Sequence, residues 1–124
     1  MIRVVTQDQA SINTLKPAFR ACPNDFDVMK HEIEAGRVSI YRIQGEGVDC
    51  LLAGEVRGQT YFIWAAVGTN ALKATRVLSE FVKKNQLTAM ACHSYFPLVV
   101  RLLKRLGGVT ETAHGDAKYL KWRL

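Results

Sequence analysis

Thr60 to Lys84 reads TYFIWAAVGTNALKATRVLSEFVKK, and a change of period inside it decides the fold. Tyr61 to Val67 is the longest uncharged apolar run in the chain. It has strand length and is apolar at odd and even positions alike. That pattern predicts a strand Thr60 to Val67 at the centre of a sheet, covered on both faces. Gly68-Thr69-Asn70 interrupts the run. Ala74, Val77, Leu78, Phe81 and Val82 then recur at i, i+3, i+4, i+7 and i+8, the stripe of an amphipathic helix. Thr69 or Asn70 is the natural N-cap. A strand running straight into a helix N-terminus presents free N–H groups, so this corner is a candidate anion site.

Upstream, Val48 to Val56 reads as a strand, with Gly54 as a bulge or a point of close approach. Gln44-Gly45-Glu46-Gly47 and Arg57-Gly58-Gln59 are tight turns. Val38 to Ile43 has period two: Val38, Ile40 and Arg42 share one face, and Ser39, Tyr41 and Ile43 the other. Ile12, Leu15, Phe19 and Cys22 predict a helix capped by Ser11, broken near Lys16 by Pro17 and ended by Pro23. A second helix fits Phe26 to Ala35, capped by Asn24 or Asp25, with Gly36 at its left-handed C-terminus. Ile2 to Thr6 is a short β-branched strand.

Downstream, Leu87 to Cys92 is a short apolar strand. Phe96, Val99, Val100, Leu103 and Leu106 form a second helical stripe, with Pro97 in its first turn and Gly107-Gly108 at its end. Val109 to Ala113 and Lys118 to Leu124 are strands joined by His114-Gly115-Asp116. In the last strand Leu120, Trp122 and Leu124 face inward, and Tyr119, Lys121 and Arg123 outward. The order is β-α-α-β-β-β-α-β-α-β-β, an α+β mixed sheet of the α/β type. No repeat or low-complexity stretch divides it, so residues 1–124 are expected to form one domain.

The bulk properties exclude several classes. No stretch approaches the roughly 20 apolar residues that span a bilayer, and the N-terminus lacks a signal-peptide apolar core, which predicts a cytoplasmic location. Three cysteines, Cys22, Cys50 and Cys92, lack paired or metal-site spacing and read as small apolar residues. There is no P-loop, G-x-G-x-x-G or G-x-S-x-G motif. The net charge is +6, unevenly spread: residues 1–68 carry 7 Lys and Arg against 8 Asp and Glu, residues 69–124 carry 10 against 3. The basic half suits phosphate, of a cofactor or of nucleic acid. Lys118 to Arg123 interleaves bases with aromatics as nucleic-acid binders do, although Trp122 falls on the apolar face.

The element order resembles the GNAT acyl-CoA N-acyltransferase family over essentially the whole chain. Phe96 to Gly108, FPLVVRLLKRLGG, is similar to that family's penultimate helix; Arg105-Leu106-Gly107 matches its closing corner, with Gly108 where an aromatic is usual. Trp64-Ala65-Ala66-Val67 and the helix after it resemble the segment that holds the pyrophosphate of coenzyme A. The family motif there is Arg/Gln-x-x-Gly-x-Gly/Ala. This sequence has Thr69-Asn70-Ala71-Leu72-Lys73-Ala74, in which only Ala74 keeps a small last residue. Phe96 and Leu103 stand where the family often has an Asn and a general-acid Tyr. Compact GNAT-like proteins also occur in bacteriophages, and the chain's brevity suits that source.

The resemblance implies acetyl transfer from acetyl-CoA to an amine. The cofactor would be held by Ala66, Val67, Thr69, Asn70, Ala71, Lys73 and Ala74. The Ala66 and Val67 N–H groups would polarise the thioester carbonyl. Glu55, near the end of the neighbouring strand, is a candidate base, or a strand-end charge. His93-Ser94-Tyr95 is the densest polar cluster: His93 has the right pKa range for a base, Tyr95 can protonate a thiolate, and Ser94 serves to cap the next helix. Cys92 and His93 point to opposite faces of their strand, which argues against a nucleophile–base pair. His31 and His114 stand alone and are expected to be solvated. The alternative is a non-catalytic GNAT-fold interaction protein, structural or host-directed, with a degenerate coenzyme A site.

Overall fold

The computed structural model describes residues 2–124, the side chain of His114 excepted. The expectation of a solvated His114 side chain therefore lies outside the described residues; His31 is exposed. The strands are β1 (Ile2–Val4), β2 (Ser39–Gly45), β3 (Val48–Arg57), β4 (Thr60–Thr69), β5 (Ala89–Ser94), β6 (Thr110–His114) and β7 (Ala117–Arg123). The helices are α1 (Gln9–Thr14), α2 (Pro23–Glu34), α3 (Ala71–Lys84) and α4 (Pro97–Lys104), with a 3-10 turn at Lys16–Phe19. The strands form one sheet in the order β1-β2-β3-β4-β5-β7-β6. β4 sits at its centre, as its two apolar faces require. The β4–β5 pairing is parallel, bridged by α3, and the others are antiparallel.

Two cores flank the sheet. One holds Ile43, Leu52, Tyr61, Ile63, Met90, Leu120 and Trp122 under α3 and α4, with Ala74, Leu78, Val82, Val100 and Leu103 pointing down onto them. The other holds Val38, Ile40, Leu51, Ala53 and Ala65 under the α1–α2 segment. Val38 and Ile40 therefore lie on one side and Tyr41 and Ile43 on the other, as the period-two reading requires. Cys50 and Cys92 are buried and Cys22 is half-buried.

The helix boundaries differ from the sequence reading for local reasons. Asp8, not Ser11, is the N-cap of α1; Ser11 is buried inside the helix and donates a hydrogen bond back to Asp8 at 2.6 Å. Pro17 sits in the first turn of the 3-10 segment. Pro23 opens α2 instead of ending a helix, because its missing N–H is harmless at N1. Val99 belongs to no core: it is exposed beside the groove described below. Gly36 has φ +80°, and Gly107 and Gly108 have φ +81° and +64°, so all three supply the left-handed turns expected of them.

Two irregularities shape the centre. The β3–β4 register passes from Ala53↔Ala65 to Gly54↔Ile63, so Trp64 is an extra residue, a bulge on β4. Gly54 opposes it, and the Tyr61 ring occupies the space a side chain would need, 2.5 Å from a Cβ built there. The β4–β5 pairing runs only from Thr60↔Ala89 to Ile63↔Cys92. Beyond that point β4 continues to Thr69 without a partner on its β5 side among the described residues, and the two strands part.

Candidate active site

A groove of about 430 Å³ opens where β4 and β5 part. Trp64, Ala65 and Ala66 of β4 form one wall, and Cys92, His93 and Ser94 of β5 the other. The first turns of α3, at Ala71, Leu72 and Thr75, close one end. Phe96, Val99, Leu102 and Leu103 of α4 and Arg20, Cys22 and Asp25 before and within α2 complete it. It reaches both faces of the sheet, because α3 and α4 lie on one side and the α1–α2 segment on the other.

The α3 end is a donor site. Asn70 is the N-cap in a left-handed conformation (φ 57°, ψ 55°) and makes no side-chain cap bond; no acidic residue lies in the first turn. The leading N–H groups of a 14-residue helix are thus left without a side-chain acceptor, and they carry the positive end of its dipole.

The residues singled out from the sequence separate into groups. Ala66 and Ala71 line the groove. Val67 is half-buried against the α1–α2 core, and Thr69 is exposed at the end of β4. Asn70 and Lys73 border a shallow depression on the outer side of α3. There the Lys73 ammonium donates to the Glu46 carbonyl at 3.0 Å and pairs with its carboxylate at 3.4 Å. Ala74 is fully buried in the core, and its N–H donates to the Asn70 carbonyl at 3.1 Å.

His93 and Tyr95 both line the groove. The exposed His93 ring is held edge-to-face by Phe62 at 5.2 Å and Tyr119 at 5.3 Å. Tyr95 is in side-chain hydrogen-bond contact with Cys22. Its hydroxyl is held above the ordinary tyrosine range by desolvation and then by the nearby Cys22, Asp25 and Asp116. Cys92 lies beneath, and burial pushes its thiol up to about 12, so it is no nucleophile at neutral pH. Ser94 Oγ accepts the Phe96 N–H at 3.2 Å and orders the entry to α4, whose N-cap is Phe96 itself.

Glu55 is placed by the bulge. Its carboxylate accepts the Trp64 Nε1–H at 3.0 Å and the Arg57 Nε–H at 2.8 Å, and its side chain is 12% exposed. It stands behind Trp64 and is not part of the groove lining. Arg57 also stacks on Phe62, 3.9 Å from the ring centroid, and Arg20 stacks on Phe96 at 4.1 Å. Sequence reasoning missed Arg20 and Arg57, and it placed Trp64 on the corner strand without its link to Glu55. Gly54 was the one hint of the bulge that turns Trp64 toward Glu55.

This architecture matches known structures. An acetyltransferase from Bacillus subtilis in complex with CoA superposes with a TM-score of 0.72 at 14% identity, over 99% of this chain and 97% of that one. An acetyltransferase structure of the GNAT family from Desulfovibrio desulfuricans gives 0.66 at 12%, over 100% and 97%. The PaiA N-acetyltransferase of Thermoplasma acidophilum in complex with coenzyme A gives 0.59 at 8%, over 100% and 99%. This is the GNAT fold. No protein-family model matches the sequence, and no curated protein matches it. Within the fold, Phe96 and Leu103 do face the groove, and both are apolar.

Proposed function

We propose that the chain is an acetyl-CoA-dependent N-acetyltransferase acting on an amine, a single cytoplasmic domain. The parting of β4 and β5 carries this reading. It leaves a strand edge able to bond an extended amide-bearing arm, and it leads to a helix N-terminus whose donors have no side-chain cap. Both features fit coenzyme A: the edge at Trp64 to Ala66 suits the pantetheine arm, and the amides of Ala71, Leu72 and Lys73 suit a phosphate. The bound cofactor would supply an acyl thioester.

The protein's own contribution follows from the groove. His93 takes the proton of the incoming ammonium, so that the free amine forms the N–C bond as the C–S bond breaks. A backbone N–H on the β4 edge polarises the carbonyl. Tyr95, whose raised pKa keeps its proton at neutral pH, gives that proton to the departing thiolate and regains the one that the nitrogen loses as the amide forms. Glu55 holds Trp64 and Arg57 and acts as a positioning residue.

Thermal shift and calorimetry with millimolar acetyl-CoA test the cofactor; no stabilisation and no heat would sink the reading. Thiol release with an amine panel tests the chemistry. His93→Gln should lower kcat by about 10²–10⁴-fold while leaving acetyl-CoA affinity unchanged. The second reading is a non-catalytic GNAT-fold binding protein. It is favoured by Lys73, the one cation of the first turn of α3, being engaged by Glu46 on the outer side. It would hold if acetyl-CoA bound and no amine were acetylated.

A further inference from the structure

The two helical layers do not cover the sheet equally. α1, the 3-10 turn and α2 lie over β2, β3 and β4, whereas α3 and α4 lie on the opposite face. No helix among the described residues covers β5, β7 and β6 on the α1–α2 side. The registers say what that bare face shows. Ala89 pairs with Arg123, Ala91 with Lys121, and His93 with Tyr119. Thr110 and Thr112 of β6 extend the same rows. On β4, Phe62 stands beside Ala91, roofed by the Arg57 guanidinium.

The small Ala89 and Ala91 are buried at the base of this face, so the longer side chains on either side make its surface. Lys121 and Arg123 form one side of it, and Arg57 over the buried Phe62 the other. An aromatic row of Phe62, His93 and Tyr119 crosses its upper end. Lys121 and Arg123 are exposed and have no ion-pair partner among the described residues. Glu55 on this face is ion-paired with Arg57 and accepts a hydrogen bond from Trp64, which leaves Lys121 and Arg123 as the cations without an ion-pair partner there among the described residues. Glu111 and Lys118 pair with each other on the other face.

We propose that this bare half-sheet binds single-stranded nucleic acid. Cations spaced along a strand track a phosphodiester backbone, and the exposed His93 with the half-buried Tyr119 at one end gives bases a stacking platform. An acidic peptide would use the cations and leave the aromatic row idle. The surface shares His93 with the acetyl-transfer reading, but its cations Lys121 and Arg123 have no part in that reading, so loss of nucleic-acid binding in their variants leaves acetyl transfer testable by itself.

The test uses the full chain and a fluorescent 12-nucleotide single-stranded DNA of mixed sequence, followed by anisotropy from 50 to 200 mM salt. Lys121→Glu with Arg123→Glu should weaken binding at least ten-fold and flatten the salt slope by about 1.4, at roughly 0.7 per phosphate contact. Lys83→Glu with Lys84→Glu, exposed at the end of α3, changes net charge equally and should leave binding within about three-fold. Tyr119→Leu should weaken binding without changing the slope. The proposal is overturned by undetectable binding at 50 mM salt, by a flat salt response, or by equal losses in the two charge-reversal pairs. It is also overturned if a polyglutamate of equal charge competes as well as unlabelled oligonucleotide. Melting curves of each variant show that the comparison is among folded proteins.

Discussion

Gly68 carries a sharp demand of this fold on the sequence. It is the penultimate residue of β4, at φ +137°, a backbone region that L side chains rarely adopt. A Cβ added there would overlap the Asp49 carbonyl oxygen and stand 2.7 Å from Cys50 Cα. Both obstacles are backbone atoms of the paired strand β3, so no rotamer change relieves them. Backbone strain of this kind costs about 1–3 kcal/mol, and forcing an extra carbon into a packed contact costs about 1–3 kcal/mol more. Gly68→Ala should therefore lose about 3–5 kcal/mol, a large part of the roughly 5–15 kcal/mol that holds a domain folded. Gly36→Ala is the control: φ is +80° but nothing lies within 4 Å of the added carbon, so it should lose only about 1 kcal/mol. Urea denaturation reads the difference as a shift in midpoint at constant slope. If the two variants fall within about 1 kcal/mol of each other, the close approach of β3 and β4 at Gly68 is wrong. So is the argument that this glycine serves strand packing and not the cofactor corner.

Two further outcomes follow from titratable groups. Burial pushes Cys50 up to about 11 and Cys92 to about 12, so a thiol reagent at pH 8 should titrate Cys22 alone in the native protein and all three cysteines in denaturant. A fast second native thiol would contradict the packing under α3 and α4. Glu111 is held below its ordinary value of 4.5, chiefly by its bonds to Lys104 and Lys118. Its contribution to stability is complete above about pH 4.5 and is lost as the pH falls through the lower folded value. Glu111→Gln should flatten acid unfolding in that window and leave stability at neutral pH little changed, because the pair is exposed to solvent.

The order of elements was legible because each has a clean period: both faces of β4, the α3 stripe and the inward Leu120 and Trp122 needed no tertiary information. Caps were less legible. Asp8 and Ser11 both suit an N-cap, and only their mutual hydrogen bond tells which holds the end. The groove was half legible. His93 and Tyr95 were found because a polar cluster after a short apolar strand lies where parallel strands part. Lys73 was chosen for its nearness to the corner in sequence, but helical phase decides its direction. Two residues from Ala71 is about 200° around the helix, so Ala71 and Thr75 face the groove while Lys73 and Arg76 face away. The role of Glu55 was invisible, because its partner Trp64 reaches it only through a one-residue slip of register.

That slip links the features of the site. A bulge raises local twist and bends its strand. β4 can stay paired with β3 along its whole length because Gly54 yields opposite Trp64 and admits the Tyr61 ring. The β5 pairing stops at Ile63↔Cys92, one residue before the bulge at which β4 bends. The groove is thus a consequence of one inserted residue. The same residue turns the indole toward Glu55 and puts the free edge of β4 opposite His93. The chain can therefore lack the glycines usual at the helix corner and still keep an open site. The cleft depends on register inside the sheet, fixed by the full-length β3–β4 pairing on one side and the early end of the β4–β5 pairing on the other.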